Sequence, residues 1–279
     1  MSYKTILSFI SREAAIETTL APAITMTRRE DAHLELSCLG IDHTQTGYFY
    51  AGAPAMVYQE TLERAQKEAE ALEEKVRARM SREDVRWSVD SSVAQLGGIA
   101  ALTGLRARFA DLVVQPRPYG DEHTPEDEAI IESALFEGET PVLVVPNSGL
   151  PADRPRRVVV AWNQSSEALS AVRKALPILR EAEIVNVAII DPPSHGPERS
   201  DPGGMLTQML SRHGVRAEVS VLARTMPRIS DVLLRHVSDQ SADMLVMGAY
   251  GHSRFREAIM GGATRDMLEQ TEVPLFMAH

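Results

Sequence analysis

The sequence predicts an α/β protein built as two tandem halves, each folded around a five-stranded parallel sheet. Three observations predict it. Short apolar runs alternate with segments of helical spacing, and the order of these segments repeats after a Pro- and Gly-rich stretch at 146–155. Two pairs of strand sequences also match across the repeat: Ala110-Asp111-Leu112-Val113-Val114 with Ala242-Asp243-Met244-Leu245-Val246, and Thr140-Pro141-Val142-Leu143-Val144 with Glu272-Val273-Pro274-Leu275-Phe276, offset by one residue. Strands alternating with helices imply parallel strands joined by right-handed crossovers, helices on both faces, and ligands held beyond the strands' carboxyl ends.

In the first half, apolar patterning predicts strands over 5–10, 33–41, 85–89, 111–115 and 141–145. Helices are expected over 12–30, with Pro22 bending or splitting it, and over 54–80, 93–109 and 125–137. The helix at 54–80 carries Glu60, Glu63, Lys67, Glu70, Glu74 and Arg77, mostly three or four apart, which makes a solvated face with ion-pair support. Segment 146–155 reads as a linker between domains at 1–146 and 156–279. The second half repeats the cycle, with strands over 157–162, 184–191, 215–222, 244–247 and 273–277 and helices over 165–180, 203–213, 228–240 and 254–270.

Composition bounds the function. The chain has 279 residues and a net charge of −10, so no overall cationic field would recruit nucleic acid or an anionic membrane. The single cysteine, Cys38, lies in an apolar run and reads as a small core residue. With no basic segment leading an apolar core at the N-terminus and no apolar stretch of about 20 residues, a cytoplasmic protein is expected.

The stretch that carries chemistry is 247–264, which follows the buried-strand pattern at 244–247. Gly248 and Gly251 stand three apart at a strand's carboxyl end, where the missing Cβ lets backbone turn sharply and approach a ligand. Gly261 and Gly262 would offer bare N–H groups near a helix start, where the helix dipole favours an anion. Such an arrangement suits a phosphate; a purely structural glycine turn is the alternative.

Gly248-x2-Gly251-x9-Gly261, with an opening strand Val158-Val159-Val160-Ala161-Trp162-Asn163 and a closing Val273-Pro274-Leu275, resembles the universal stress protein family in its tandem form. The resemblance is strong over 155–279 and rests on element order over 1–146. It implies an adenine nucleotide alpha hydrolase-like, Rossmann-like fold, halves related by a pseudo-two-fold axis, and ATP as ligand, with Mg²⁺ accompanying the phosphates. Carried onto this chain, it implies nucleotide contacts from Ala161, Asn163, Met247, Gly248, Gly251, His252, Arg254, Gly261, Gly262, Ala263 and Thr264. Two positions depart from the family pattern: Gly262 stands for Ser or Thr, and Asn163 for Asp. Gly262 keeps a backbone N–H, Thr264 matches a second hydroxyl position, and Asn163 can still accept a hydrogen bond from a ribose hydroxyl.

In the first half, alignment puts Pro116 opposite Gly248 and Tyr119 opposite Gly251, so its phosphate loop is absent. The family's dimer contact through final strands predicts that 141–145 and 273–277 lie side by side within one chain, and a homodimer of the tandem chain is a further expected partner. No Gly-x-Ser-x-Gly or Gly-x4-Gly-Lys-Ser/Thr motif occurs, and His123, His195 and His213 lack partners at metal-ligand spacing. Ser165-Ser166-Glu167 reads as a helix cap. The expected function is a stress-response protein that binds ATP through its C-terminal half and is non-catalytic or at most weakly hydrolytic; an interaction module of the same fold and an enzyme acting on a phosphorylated metabolite are the alternatives.

Overall fold

The computed structural model describes residues 2–43, 55–120, 123–192, 201–249 and 262–279. Their contacts divide the chain into two compact units, Tyr3–Thr140 and one built mainly on Pro141–His279.

The first unit runs β1 (Thr5–Ile10), α1 (Ile16–Glu30), β2 (His33–Asp42), α2 (Ala55–Met80), β3 (Arg86–Gln95), α3 (Ile99–Ala107), β4 (Leu112–Pro116) and α4 (Pro125–Phe136). Its strands are parallel in the order β3-β2-β1-β4. The second contains β5 (Val142–Val145), β6 (Arg157–Ala161), α5 (Ser166–Leu179), β7 (Ile184–Ile190), α6 (Gly204–Arg212), β8 (Ala217–Leu222), α7 (Ile229–Asp239), β9 (Met244–Gly248), α8 (Ala263–Gln270) and β10 (Leu275–Ala278). Here the order is β5-β10-β9-β6-β7-β8, parallel except for β5. Central strands are apolar runs because helices cover both faces: every residue of β5 and β10 and five of six in β1 are buried.

The sequence match at 110–114 and 242–246 has a mechanical cause. Asp111 Oδ2 accepts hydrogen bonds from the backbone N–H groups of Lys4 (2.7 Å) and Thr5 (3.0 Å), and Asp243 Oδ2 accepts from Arg156 and Arg157 (both 2.8 Å). Each aspartate pins the start of its unit's first parallel strand beside the strand that neighbours it in the sheet. A carboxylate can clamp two successive N–H groups, which an apolar residue cannot.

Two expectations are corrected, and the last helix is met only in part. Pro22 does not split α1, which is continuous over Ile16–Glu30 with Leu20, Pro22, Ala23 and Ile24 buried. Burial of that apolar face outweighs the one backbone hydrogen bond a proline removes. Strand β3 continues to Gln95, beyond the expected end at 89, because β2 supplies a pairing partner at every step to Asp42↔Gln95; a 3₁₀ turn at Leu96–Gly98 then leads into α3. The final strand of the first half, β5, neighbours β10 in the sheet order. It pairs antiparallel with β10 in the register Leu275↔Val144, Phe276↔Leu143 and Met277↔Val142, so the two final strands do lie side by side, and the unit boundary precedes Pro141. This pairing covers the edge of β10 that would otherwise present unpaired backbone groups. The last helix is present from Ala263, and the portion expected at 254–261 lies outside the described residues.

Cys38 is fully buried on β2, and burial, with Glu73 and Asp90 nearby, pushes its thiol up to about 12. A thiol so protonated is a core residue, as its apolar surroundings in the sequence imply.

Candidate functional site

In the second unit a cavity of about 210 Å³ opens at the carboxyl ends of β6, β7 and β9, bounded by the first turns of α5, α7 and α8. The strand ends place it: parallel strands stop together, and the helices that follow begin around the opening. Ile190, Leu233, Met247 and Met267 form apolar walls, and Asn163, Ser165, Ser230 and Thr264 supply polar groups. The Trp162 indole is buried and its Nε1 has no hydrogen-bond partner among the described residues, although Trp162 borders the cavity.

The α5 side is shaped by local capping. Ser165 Oγ accepts from Ala168 N–H (3.1 Å), and Asn163 Oδ1 accepts from Ser165 N–H (3.1 Å), which folds residues 163–165 into the turn ahead of the helix. Glu167 borders the same opening. Burial opposes its charge, but hydrogen bonds involving its own backbone and the Ser165 and Ser166 hydroxyls, with His279 nearby, together hold its carboxyl below the usual carboxylate range.

On the opposite side α8 begins without a side-chain cap. Gly262 is its N-cap residue, in ordinary extended geometry (φ −68°, ψ 154°), and Thr264 follows in the first turn, buried. Asp266, also buried in that turn, accepts from the Ser230 hydroxyl at Oδ2 (2.8 Å), while Arg228 stands 3.6 Å from its Oδ1. The described lining contains no Lys, Arg or His, so its only charged member is Glu167. Among the described residues no group of three or more His, Cys, Asp or Glu is placed to hold a metal ion, and no helix is long and apolar enough to cross a membrane.

Residues 155–279 match the profile of the Universal stress protein family. The C-terminal half is a universal stress protein domain. A curated universal stress protein of Synechocystis is 32% identical to the chain over 72 residues, covering 26% of the chain and about a quarter (24%) of that relative's length. The crystal structure of a universal stress protein from Archaeoglobus fulgidus superimposes with a TM-score of 0.69 at 12% identity, over 100% of this chain and 96% of that one. A Pseudomonas aeruginosa structure gives 0.56 at 12% identity, over 99% and 93%. At such identities the structural likeness speaks for the fold alone.

Six of the residues expected to contact a nucleotide, Ala161, Asn163, Met247, Gly248, Ala263 and Thr264, come together around the cavity of this universal stress domain, and Gly262 adjoins it as the cap of α8. Gly251, His252, Arg254 and Gly261 lie outside the described residues. Two roles change. A Cβ on Gly248 would fall 2.5 Å from Ala168 N and 2.6 Å from Glu167 C, so this glycine is required by the close packing of α5 on β9 before any ligand is considered. The Asn163 side chain already serves the turn that caps α5. Sequence reasoning missed Trp162, Glu167, Ser230 and Asp266 as site residues. Trp162 lies between Ala161 and Asn163 and Glu167 belongs to the Ser165-Ser166-Glu167 cap, but Ser230 and Asp266 meet only through the packing of α7 against α8, which no local pattern encodes.

Proposed function

We propose that the C-terminal domain binds an adenine nucleotide such as ATP and acts without catalysing a reaction on it. The observation that carries this reading is the apolar cavity at the strands' carboxyl ends bordered by the α8 N-terminus, which has no side-chain cap and carries the buried Thr264. The base and ribose fit the apolar walls and the Asn163 edge, with the Trp162 N–H a further donor beside them. The phosphates belong at the α8 end, away from the Glu167 carboxylate, with Mg²⁺ travelling on them. Positive charge for them would come from His252 and Arg254. Adenine specificity rests on the family resemblance of the motif. The described lining includes no imidazole or amine to pair with Glu167 as acid and base, which favours a binding role in a stress response over an enzymatic one.

Equilibrium titration of the full chain with labelled ATP tests the reading. One nucleotide per chain is expected, since the first half lacks the glycine loop. Thr264→Val should weaken binding about fivefold, the equivalent of about 1 kcal/mol for one hydrogen bond. Gly251→Val and Gly261→Val should abolish it. Absence of binding at millimolar ATP, or unchanged affinity in these variants, refutes the proposal. A second reading, in which the glycines only shape the chain, is favoured by the packing role of Gly248; it predicts that no nucleotide copurifies with the protein.

A further inference from the structure

In the second unit β8 closes one end of the strand order, and among the described residues no strand lies beyond it. Its inner side is paired in parallel with β7, from Val185↔Ala217 to Ile190↔Leu222. Val185 N–H donates to Arg216 O (2.8 Å) and Asp191 N–H to Leu222 O (2.9 Å), so the even-numbered residues turn their backbone groups inward. Backbone groups alternate in direction along a strand, which leaves the N–H and C=O of Ala217, Val219 and Val221 pointing outward. The side chains there are apolar and open: Val219 is 38% exposed and Val221 55%, and Met205, in the first turn of the adjoining α6, is 72% exposed.

An edge of this kind invites another strand unless charge guards it. Strand β3, at the edge of the first unit's order, is guarded. Its exposed positions are Arg86, Ser88 and Asp90, with Arg86 tied to Asp31 and Asp90 to Arg106, both at 2.6 Å. On β8 the one charged side chain, Glu218, is held by Asn186 of β7 (2.9 Å), on the face opposite the valines. The edge of β10 is covered within the chain by β5, whereas β8 has no such cover among the described residues.

We propose that β8 docks a second copy of this chain, the two β8 strands pairing antiparallel about a two-fold axis at Val219. The sequence of the strand is complementary to itself in that register. Only odd-numbered residues offer outward backbone groups, so they must face one another, and the axis can then pass through 218, 219 or 220 at the middle of the strand. An axis at Glu218 sets two carboxylates directly opposite, and one at Ser220 runs Arg216 past the strand's end toward Arg224 of the second copy; opposed like charges are destabilising. At Val219 the opposed residues are Val219 with Val219, Ala217 with Val221, Glu218 with Ser220, and Arg216 with Leu222. No like charges oppose each other, and the outward-facing residues make one apolar stripe. Ser220 Oγ accepts from Asn186 Nδ2 (2.9 Å), which leaves its hydroxyl proton to donate across the axis to Glu218 of the second copy, and the symmetry makes that bond twice. Pairing of this kind is independent of nucleotide binding.

Light scattering of the full chain on size-exclusion chromatography at micromolar concentration tests the proposal, and a dimer is expected. Val221→Lys, at an exposed position, places a charge in the apolar stripe and should leave the chain monomeric, whereas Ser88→Lys on the edge of β3 should leave it dimeric. The register has its own readout, which keeps the test decisive if Val221→Lys folds poorly. Residues opposed across the axis have Cα atoms about 5.5 Å apart, within the reach of a disulfide, so Val219→Cys should form a covalent dimer on mild oxidation. Val221→Cys, opposite Ala217, should not. A monomeric parent protein, an undiminished dimer in Val221→Lys, loss of the dimer in Ser88→Lys, or cross-linking through 221 as fast as through 219 overturns the proposal.

Discussion

Replacing Gly248 by alanine separates a packing role from a ligand role. The added Cβ would meet Ala168 N at 2.5 Å, Glu167 C at 2.6 Å and Ala168 Cα at 3.0 Å, all backbone atoms of the first turn of α5, where ordinary contact starts at 3.4 Å. That turn must therefore retreat by roughly 1 Å, or β9 must shift equally. Neither is soft, because α5 also packs against β10 and its start is fixed by the Ser165 cap. One methyl forced into a filled interface costs about 1–3 kcal/mol. Urea denaturation of the ligand-free protein, with Gly97→Ala as a control at a glycine whose added Cβ would meet nothing within 4 Å, should show the loss at 248 and little at 97. Gly248→Ala with unchanged ligand-free stability would refute the packing argument and return this glycine to ligand approach alone.

Three further outcomes follow from the geometry. Gly262→Ser should stabilise the ligand-free protein by a few tenths of a kcal/mol, because φ of −68° suits any residue and a hydroxyl there caps α8; an unchanged melting curve would count against this, and any extra gain seen only with ATP present would report a phosphate contact. Asp243→Ala should cost about 1–2 kcal/mol through loss of two charge-assisted bonds to the Arg156 and Arg157 N–H groups, with Asp111→Ala similar in the first unit; stabilities indistinguishable from the parent protein in denaturant would show that the clamps are idle. His236 is buried with Nε2 2.8 Å from Asn186 Oδ1, and since Asn186 Nδ2 donates to Glu218 and Ser220, the imidazole is the donor; burial lowers its pKa from 6.5, against weaker opposing effects of Asp239 and Glu218. The unfolded chain then binds the proton more readily than the folded one, so this contribution is complete above the unfolded value of 6.5 and is lost as pH falls from there toward the lower folded value. Between about pH 7.5 and 5.5 the parent protein should lose more stability than His236→Gln, and equal losses would contradict the assignment.

The sequence by itself determined the class of the fold and marked residues that come together at the candidate cavity. Alternating apolar runs specify strands buried on both faces, and such strands pair in parallel through helical crossovers, so the elements from β1 to β10 fall close to where periodicity puts them. The internal repeat was legible because Asp111 and Asp243 perform the same local task in each half. Likewise Ser165 acts as a cap because its neighbours in sequence supply the N–H it needs. Tertiary structure alone decided whatever depends on a partner distant in the chain. The length of β3 follows β2, the orientation of β5 follows the edge of β10, and the requirement for glycine at 248 comes from α5, far earlier in the chain. Periodicity records which way a side chain faces, whereas desolvation and close contact are set by the elements that meet it, and those meetings are not written in any local stretch of sequence.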